Sequence, residues 1–318
     1  MVELGYAISS EEFRPNELVM NARRAEETGF RFALISDHFH PWLDSQGQSP
    51  FVWSTLGGIA QVTSSLRIGT GVTCPLIRIH PVIVAQAAAT AADMLGDRFF
   101  LGVGTGEYLN EHITGEHWPP LSTRQEMLRE AVKIIRMLWE GDYTTFQGDF
   151  YSVENARIYT LPEQLPPICV AASGADSATL AAEIGDGLIS TAPDPEVVRA
   201  FTTSGSEQQP RYGQMTVCWN QDEEAAKELA LKMWANSAIP GQLSQELALP
   251  LYFEQASELA TPDKMAKQVV CGPDPAKYLA KIQEFTGAGF THVYIHQVGP
   301  DQEGFFRFAE KEILPNVS

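Results

Sequence analysis

Eight short apolar runs, each followed by a longer stretch with helical spacing, recur along the chain; no other feature restricts its fold as much. The runs are Leu4–Ile8, Phe32–Ser36, Arg67–Val72, Phe99–Val103, Ile168–Ala171, Gly187–Ser190, Gln214–Trp219 and Thr291–His296. The helical stretches between them are Pro15–Thr28, Thr55–Thr63, Val82–Met94, Thr123–Trp139, Ala175–Ile184, Pro195–Thr203, Glu223–Asn236 and Pro275–Thr286. Several begin with proline or end at Gly29, Gly141 or Gly185, as helix punctuation requires. Eight βα units are what a closed parallel barrel needs, so the expected fold class is α/β, a (β/α)8 TIM barrel, with 1–318 as one domain.

Glu27-Thr28-Gly29-Phe30, Glu183-Ile184-Gly185-Asp186-Gly187 and Gly287-Ala288-Gly289-Phe290 each close a helix just before a strand. They read as one αβ turn used three times, with glycine at the helix C-terminus. Insertion segments are expected near 104–122, 142–160 and 236–262. Within the second, Thr144–Tyr159 alternates apolar and polar residues around Gln147-Gly148, the pattern of a hairpin outside the barrel. The third, Ala238–Pro262, is long enough to cover a pocket.

Against 22 basic residues stand 40 acidic ones, a formal charge of −18. This excludes the clustered cations that nucleic acid or an anionic membrane would need, and leaves a small-molecule substrate as the expected partner. The start, Met1-Val2-Glu3-Leu4-Gly5, has no basic segment followed by an apolar core, and no run of 18 apolar residues occurs, so a cytoplasmic protein is expected. Cys74, Cys169, Cys218 and Cys271 are widely separated, which suits reduced core thiols. His40, His80 and His296 lie near strand ends without ligand spacing, so no metal is expected.

The second strand runs into Ser36-Asp37-His38-Phe39-His40-Pro41-Trp42, at the end of the barrel that carries chemistry. There His38 can move a proton near neutral pH, Asp37 can orient it, and Trp42 can wall a pocket for a flat ligand; a plain polar turn is the alternative. The fourth strand ends in Gly104-Thr105-Gly106-Glu107-Tyr108-Leu109-Asn110, which lets backbone approach a ligand and presents Glu107, or simply forms a glycine-rich turn. After the fifth strand, Ala171-Ala172-Ser173-Gly174 precedes a helix, as an anion-binding turn or a tight turn capped by Ser173. Glu11 either joins His38 and Glu107 on the rim or favours the N-terminus of the helix at Pro15.

Four of these segments, SDHFHPW at 36–42, GTGEYLNE at 104–111, AASG at 171–174 and GDGLI at 185–189, together resemble the luciferase-like flavin and deazaflavin oxidoreductases. The chain is most similar to the branch of dehydrogenases that use coenzyme F420, whose best-known member oxidises glucose 6-phosphate. The resemblance implies that His38 is the general base, that Trp42 packs near the reacting centre, and that Glu107 assists proton movement at the deazaflavin. It also implies that Asp37, Val72, Thr105, Gly106, Asn110 and Ala171, Ala172, Ser173 and Gly174 line the cofactor, that the peptide before Val72 is cis, and that the protein is a homodimer. The activity implied is hydride transfer between an alcohol, sugar or sugar-phosphate carbon and F420, with an FMN-dependent monooxygenase as the alternative. Sugar-phosphate dehydrogenases of the family carry a phosphate-binding lysine after the sixth strand, where this chain has Thr191-Ala192-Pro193-Asp194. Asp194 in that place argues for an uncharged substrate, with Lys267 as the remaining candidate cation.

Overall fold

The computed structural model describes residues 2–205, 207–239 and 241–317. Its strands are β1 (Glu3–Ile8), β2 (Phe32–Ile35), β3 (Arg67–Thr70), β4 (Phe99–Val103), β5 (Thr144–Gln147), β6 (Ser152–Ala156), β7 (Ile168–Ala171), β8 (Gly187–Ser190), β9 (Arg211–Cys218), β10 (Val270–Cys271) and β11 (His292–Gln297). The parallel order β9-β11-β1-β2-β3-β4-β7-β8 closes through a β8–β9 pairing, with Ile189 opposite Tyr212. These eight strands form a (β/α)8 barrel, and each of the eight apolar runs overlaps one of them. The seventh begins at Arg211, earlier than Gln214, because Tyr212 fills the barrel interior.

Every strand of such a barrel is buried on both faces, which is why the runs are continuously apolar rather than alternating. Ala7, Phe32, Leu34, Phe100, Cys169, Ile189, Tyr212 and Tyr294 fill the inside. The opposite faces, among them Tyr6, Ile8, Ala33 and Ile35, pack against the helices. A Cβ at Gly5 would overlap the Phe32 ring, and one at Gly69 the Phe100 ring, so these glycines make room for large interior aromatics.

The outer helices are α1 (Pro15–Thr28), α2 (Val52–Val62), α3 (Pro81–Leu95), α4 (Tyr108–Glu111), α5 (Leu121–Leu138), α6 (Ala175–Ile184), α7 (Pro195–Ser204) and α8 (Glu223–Trp234). They continue as α9 (Leu243–Glu246), α10 (Pro250–Ala256), α11 (Pro262–Met265), α12 (Pro275–Gly287) and α13 (Gln302–Phe308). Two of the three αβ turns match expectation: Gly29 and Gly289 have φ of 107° and 100°. The third does not. Gly185 is extended at φ −109°, and a Cβ there would sit 2.7 Å from Val170 and 2.8 Å from the Ala181 carbonyl, so it is small for space rather than for conformation.

Outside the barrel, β5 and β6 form the antiparallel hairpin, with Gln147 opposite Ser152. The 236–262 segment, in which Pro240 lies outside the described residues, carries α9 and α10. Phe253 of α10 is fully buried, its ring 5.2 Å from that of Trp42, and Glu254 accepts from the Asp44 amide at 3.2 Å. The segment is therefore docked on the rim loop that follows β2.

Candidate active site

Ala7 and Leu34 face the barrel interior, and strand alternation carries Ser9 and Ser36, two residues on in each case, to the barrel mouth. Both hydroxyls donate to Glu11 Oε2, Ser9 at 3.0 Å and Ser36 at 2.8 Å. The other oxygen, Oε1, lies 3.5 Å from His38 Nδ1, which also faces the His40 carbonyl at 3.2 Å. Two acceptors around Nδ1 select the tautomer protonated there, leaving the Nε2 lone pair to take up a proton. The Trp42 ring stands 4.9 Å from the imidazole at 62°. Glu11 thus serves the rim; the first turn of α1 is served by Glu17, which accepts from the Arg14 amide at 2.8 Å.

Asp37 is a different case from its neighbour. Its carboxylate accepts from Thr73 Oγ1 at 2.7 Å and meets Arg78 Nη2 at 2.9 Å, with the side chain almost wholly buried. Arg78 also approaches Glu111, whose carboxylate accepts from the Arg78 amide at 2.8 Å; burial raises the pKa of Glu111 against the pull of that cation. Both Asp37 oxygens are engaged within the protein, Oδ2 by Thr73 and Oδ1 by Arg78, so the carboxylate ties the loop after β2 to the loop after β3. Arg78 and Glu111 escaped the sequence reading, although a lone arginine in Leu76-Ile77-Arg78-Ile79 was a signal of a buried ion pair. Asn110 is a clasp between loops. Its Oδ1 accepts from the Phe39 and His40 amides at 2.8 and 3.2 Å, and its Nδ2 donates to Glu107 at 3.4 Å.

Beside this cluster the rim is built from small residues. The Gly71–Val72 peptide is cis. A Cβ on Gly104 would lie 2.8 Å from Val72 Cγ2 and 3.4 Å from Ala171 Cβ, so those two side chains flank a glycine floor. Thr105, Gly106 and Ala171 are half-buried and Ala172 is buried. A shallow apolar floor edged by backbone and one hydroxyl suits a flat ring system, and the residues present fit a deazaflavin or a flavin. The expected cap at Ser173 is corrected: Gly174 is the N-cap of α6, and Ser177 Oγ accepts from the Ser173 and Gly174 amides, both at 3.2 Å. Those two amides are therefore not open to an anion.

The three candidate substrate residues do not converge. Thr191 is exposed beyond β8. Asp194 is the N-cap of α7, its carboxylate accepting from the Glu196 amide at 2.8 Å, which gives the aspartate a local structural reason. Lys267 is exposed and lines an outer cavity of about 300 Å³ with Glu223, Lys227, Lys277, Lys281 and Glu284, residues of α8 and α12 and none of the rim cluster. Among the described residues, Lys267 has no hydrogen bond or ion pair to the rim cluster.

Among known proteins, the chain is 34% identical to the F420-dependent glucose-6-phosphate dehydrogenase of Mycolicibacterium gilvum, covering 99% of this chain and 98% of that one. The enzyme of the same description from Microbacterium testaceum is also 34% identical, over 99% of this chain and 97% of its own. A solved F420-dependent secondary alcohol dehydrogenase in complex with an F420-acetone adduct superposes with a TM-score of 0.93 and 31% identity, covering 100% of this chain and 99% of that one. The family model for luciferase-like monooxygenases matches residues 1–292. The chain belongs to the luciferase-like monooxygenase family.

Proposed function

We propose that this protein is an F420-dependent dehydrogenase acting on the CH–OH group of an uncharged alcohol or sugar. The observation that carries the reading is the Glu11–His38 pair, with Nδ1 held by two acceptors and Nε2 left free beside Trp42. The full-length similarity to F420-dependent dehydrogenases supports it.

Bound on the floor formed by Val72, Gly104, Thr105, Gly106, Ala171 and Ala172, the deazaflavin would supply the hydride acceptor. His38 Nε2 takes the proton of the substrate hydroxyl, which raises electron density on the carbinol carbon; general-base assistance of this kind contributes about 10²–10⁴-fold. Glu11 stabilises the imidazolium that results and holds the ring in position. Trp42, backed by Phe253, closes one side and excludes water. Glu107, tied to Asn110, keeps a carboxyl on the neighbouring loop that can hold a proton. Asp194, standing where the resemblance implies a lysine in sugar-phosphate dehydrogenases, supports an uncharged substrate.

The same reading takes the protein as a cytoplasmic homodimer. Four buried, unpaired cysteines suit a reducing compartment, and the dimer rests on the family resemblance. Light scattering on the purified protein tests the latter. For the activity, the protein is titrated with F420 and with FMN, and the loss of F420 absorbance is followed with 2-propanol, glucose and glucose 6-phosphate. Tight FMN binding without F420 binding would replace the dehydrogenase with an FMN-dependent monooxygenase.

A further inference from the structure

His296 sits near the end of β11, two residues after Tyr294, whose ring fills the barrel interior. Alternation therefore turns the His296 side chain toward the barrel axis at the end that carries Glu11 and His38. It is 3% exposed, and neither ring nitrogen has a hydrogen-bond partner among the described residues. Other histidines differ: His40 and His112 each place Nδ1 against a backbone carbonyl, at 2.9 and 2.7 Å, and His292 Nδ1 meets Thr291 Oγ1 at 2.8 Å. The His296 ring is held instead by packing, edge to face on Trp234, with centroids 4.4 Å apart.

Buried polar groups are almost always paired, so a buried imidazole with two vacant nitrogens calls for a partner from outside the chain. We propose that His296 is that partner's recognition residue: it hydrogen-bonds a hydroxyl or carbonyl oxygen of the substrate bound at the rim that carries Glu11 and His38. The proposal rests on the dehydrogenase reading for the identity of the substrate, and deepens it by assigning the site's second polar anchor. Burial pushes His296 down to about 4, the charge of Glu11 working weakly in the other direction. The ring is consequently neutral at neutral pH, with one nitrogen a donor and the other an acceptor, as a hydroxyl requires and as a phosphate does not. His38 moves the proton; His296 chooses and orients what is bound.

The test uses full-length, F420-loaded protein. The imidazole ¹⁵N signals of His296, identified by their loss in His296→Gln, are followed on wild type as 2-propanol, acetone or glucose is added. The expected result is a shift of the His296 signals that saturates with one of these probes. In kinetics, His296→Ala raises KM for the reactive alcohol by about tenfold or more, the loss of one good hydrogen bond, while the Kd for F420 changes less than about twofold. His296→Gln restores part of the KM, and the pH profile of kcat/KM keeps its limb in both. Unmoved signals at saturating probe, or a KM within about twofold of wild type in a folded variant, would overturn the assignment. Failure of the dehydrogenase reading is distinct: wild type would then not bind F420, or would not reduce it with any alcohol.

Discussion

Glu11 Oε1 stands 3.5 Å from His38 Nδ1, while the opposite oxygen of the same carboxylate is held by two serine hydroxyls. One carboxylate thereby fixes both the position and the tautomer of the imidazole proposed as the general base. His38→Ala should lower kcat by about 10²–10⁴-fold with little change in F420 affinity. Glu11→Gln should cost about 10–100-fold, the usual scale for an orienting partner of a functional histidine. A kcat within about twofold of wild type in folded Glu11→Gln would remove Glu11 from the mechanism.

The Asp37–Arg78 pair is nearly shut off from solvent, so removing one partner strands a buried charge. Arg78→Leu is expected to lose about 3–5 kcal/mol of stability in urea unfolding, far more than a surface pair would lose. Because Asp37 adjoins His38, activity should fall as well, even under conditions where the variant remains folded.

Phe253 anchors the 236–262 segment onto Trp42. Truncation to alanine should cost about 3–5 kcal/mol of local packing and loosen the segment before the barrel unfolds. Hydrogen exchange should accelerate across 243–256 and 42–46 while the barrel strands remain protected. Uniform acceleration throughout the chain would argue against a separately docked segment.

Three buried groups bend the pH dependence of stability, Glu12 in one direction and His292 and His296 in the other. Glu12 is raised to about 8 by burial, so its contribution is complete below the unfolded value of 4.5 and is lost as pH rises toward 8. His292 and His296 are each depressed to about 4 from 6.5, so their contribution is complete above 6.5 and is lost as pH falls toward 4. Melting temperature should therefore peak between these limits. Glu12→Gln should flatten the alkaline side alone, read by thermal unfolding from pH 5 to about 9.

Asp194 caps α7, so Asp194→Ala should cost about 1 kcal/mol while leaving turnover of an uncharged alcohol near wild type. Asp194→Lys should raise kcat/KM for glucose 6-phosphate relative to glucose, since a cation replaces an anion there. A wild-type enzyme that reacted with glucose 6-phosphate alone would contradict the uncharged-substrate reading.

The barrel and the rim position of His38, Trp42 and Glu107 were legible in the amino-acid order, because the two-residue and 3.6-residue periods are local and the chemistry follows a strand end. The boundaries of α1 and α6 came out as read, where Pro15 starts one helix and Gly29 or Gly185 ends each. The turn at Gly185 already shows the limit, since the same glycine can answer to crowding or to backbone conformation, and only its neighbours distinguish the two. Pairing across the closed barrel was beyond local pattern altogether. Packing of neighbouring βα units, β1 beside β2 and β2 beside β3, brings Glu11 to His38 and Arg78 to Asp37, while the tertiary fold sets Lys267 at an outer cavity and buries His296 with neither nitrogen paired among the described residues. Sequence determined which side chains reach the rim; the tertiary structure decided which are spent on one another and which remain for a ligand, because hydrogen bonds depend on distances that only packing sets.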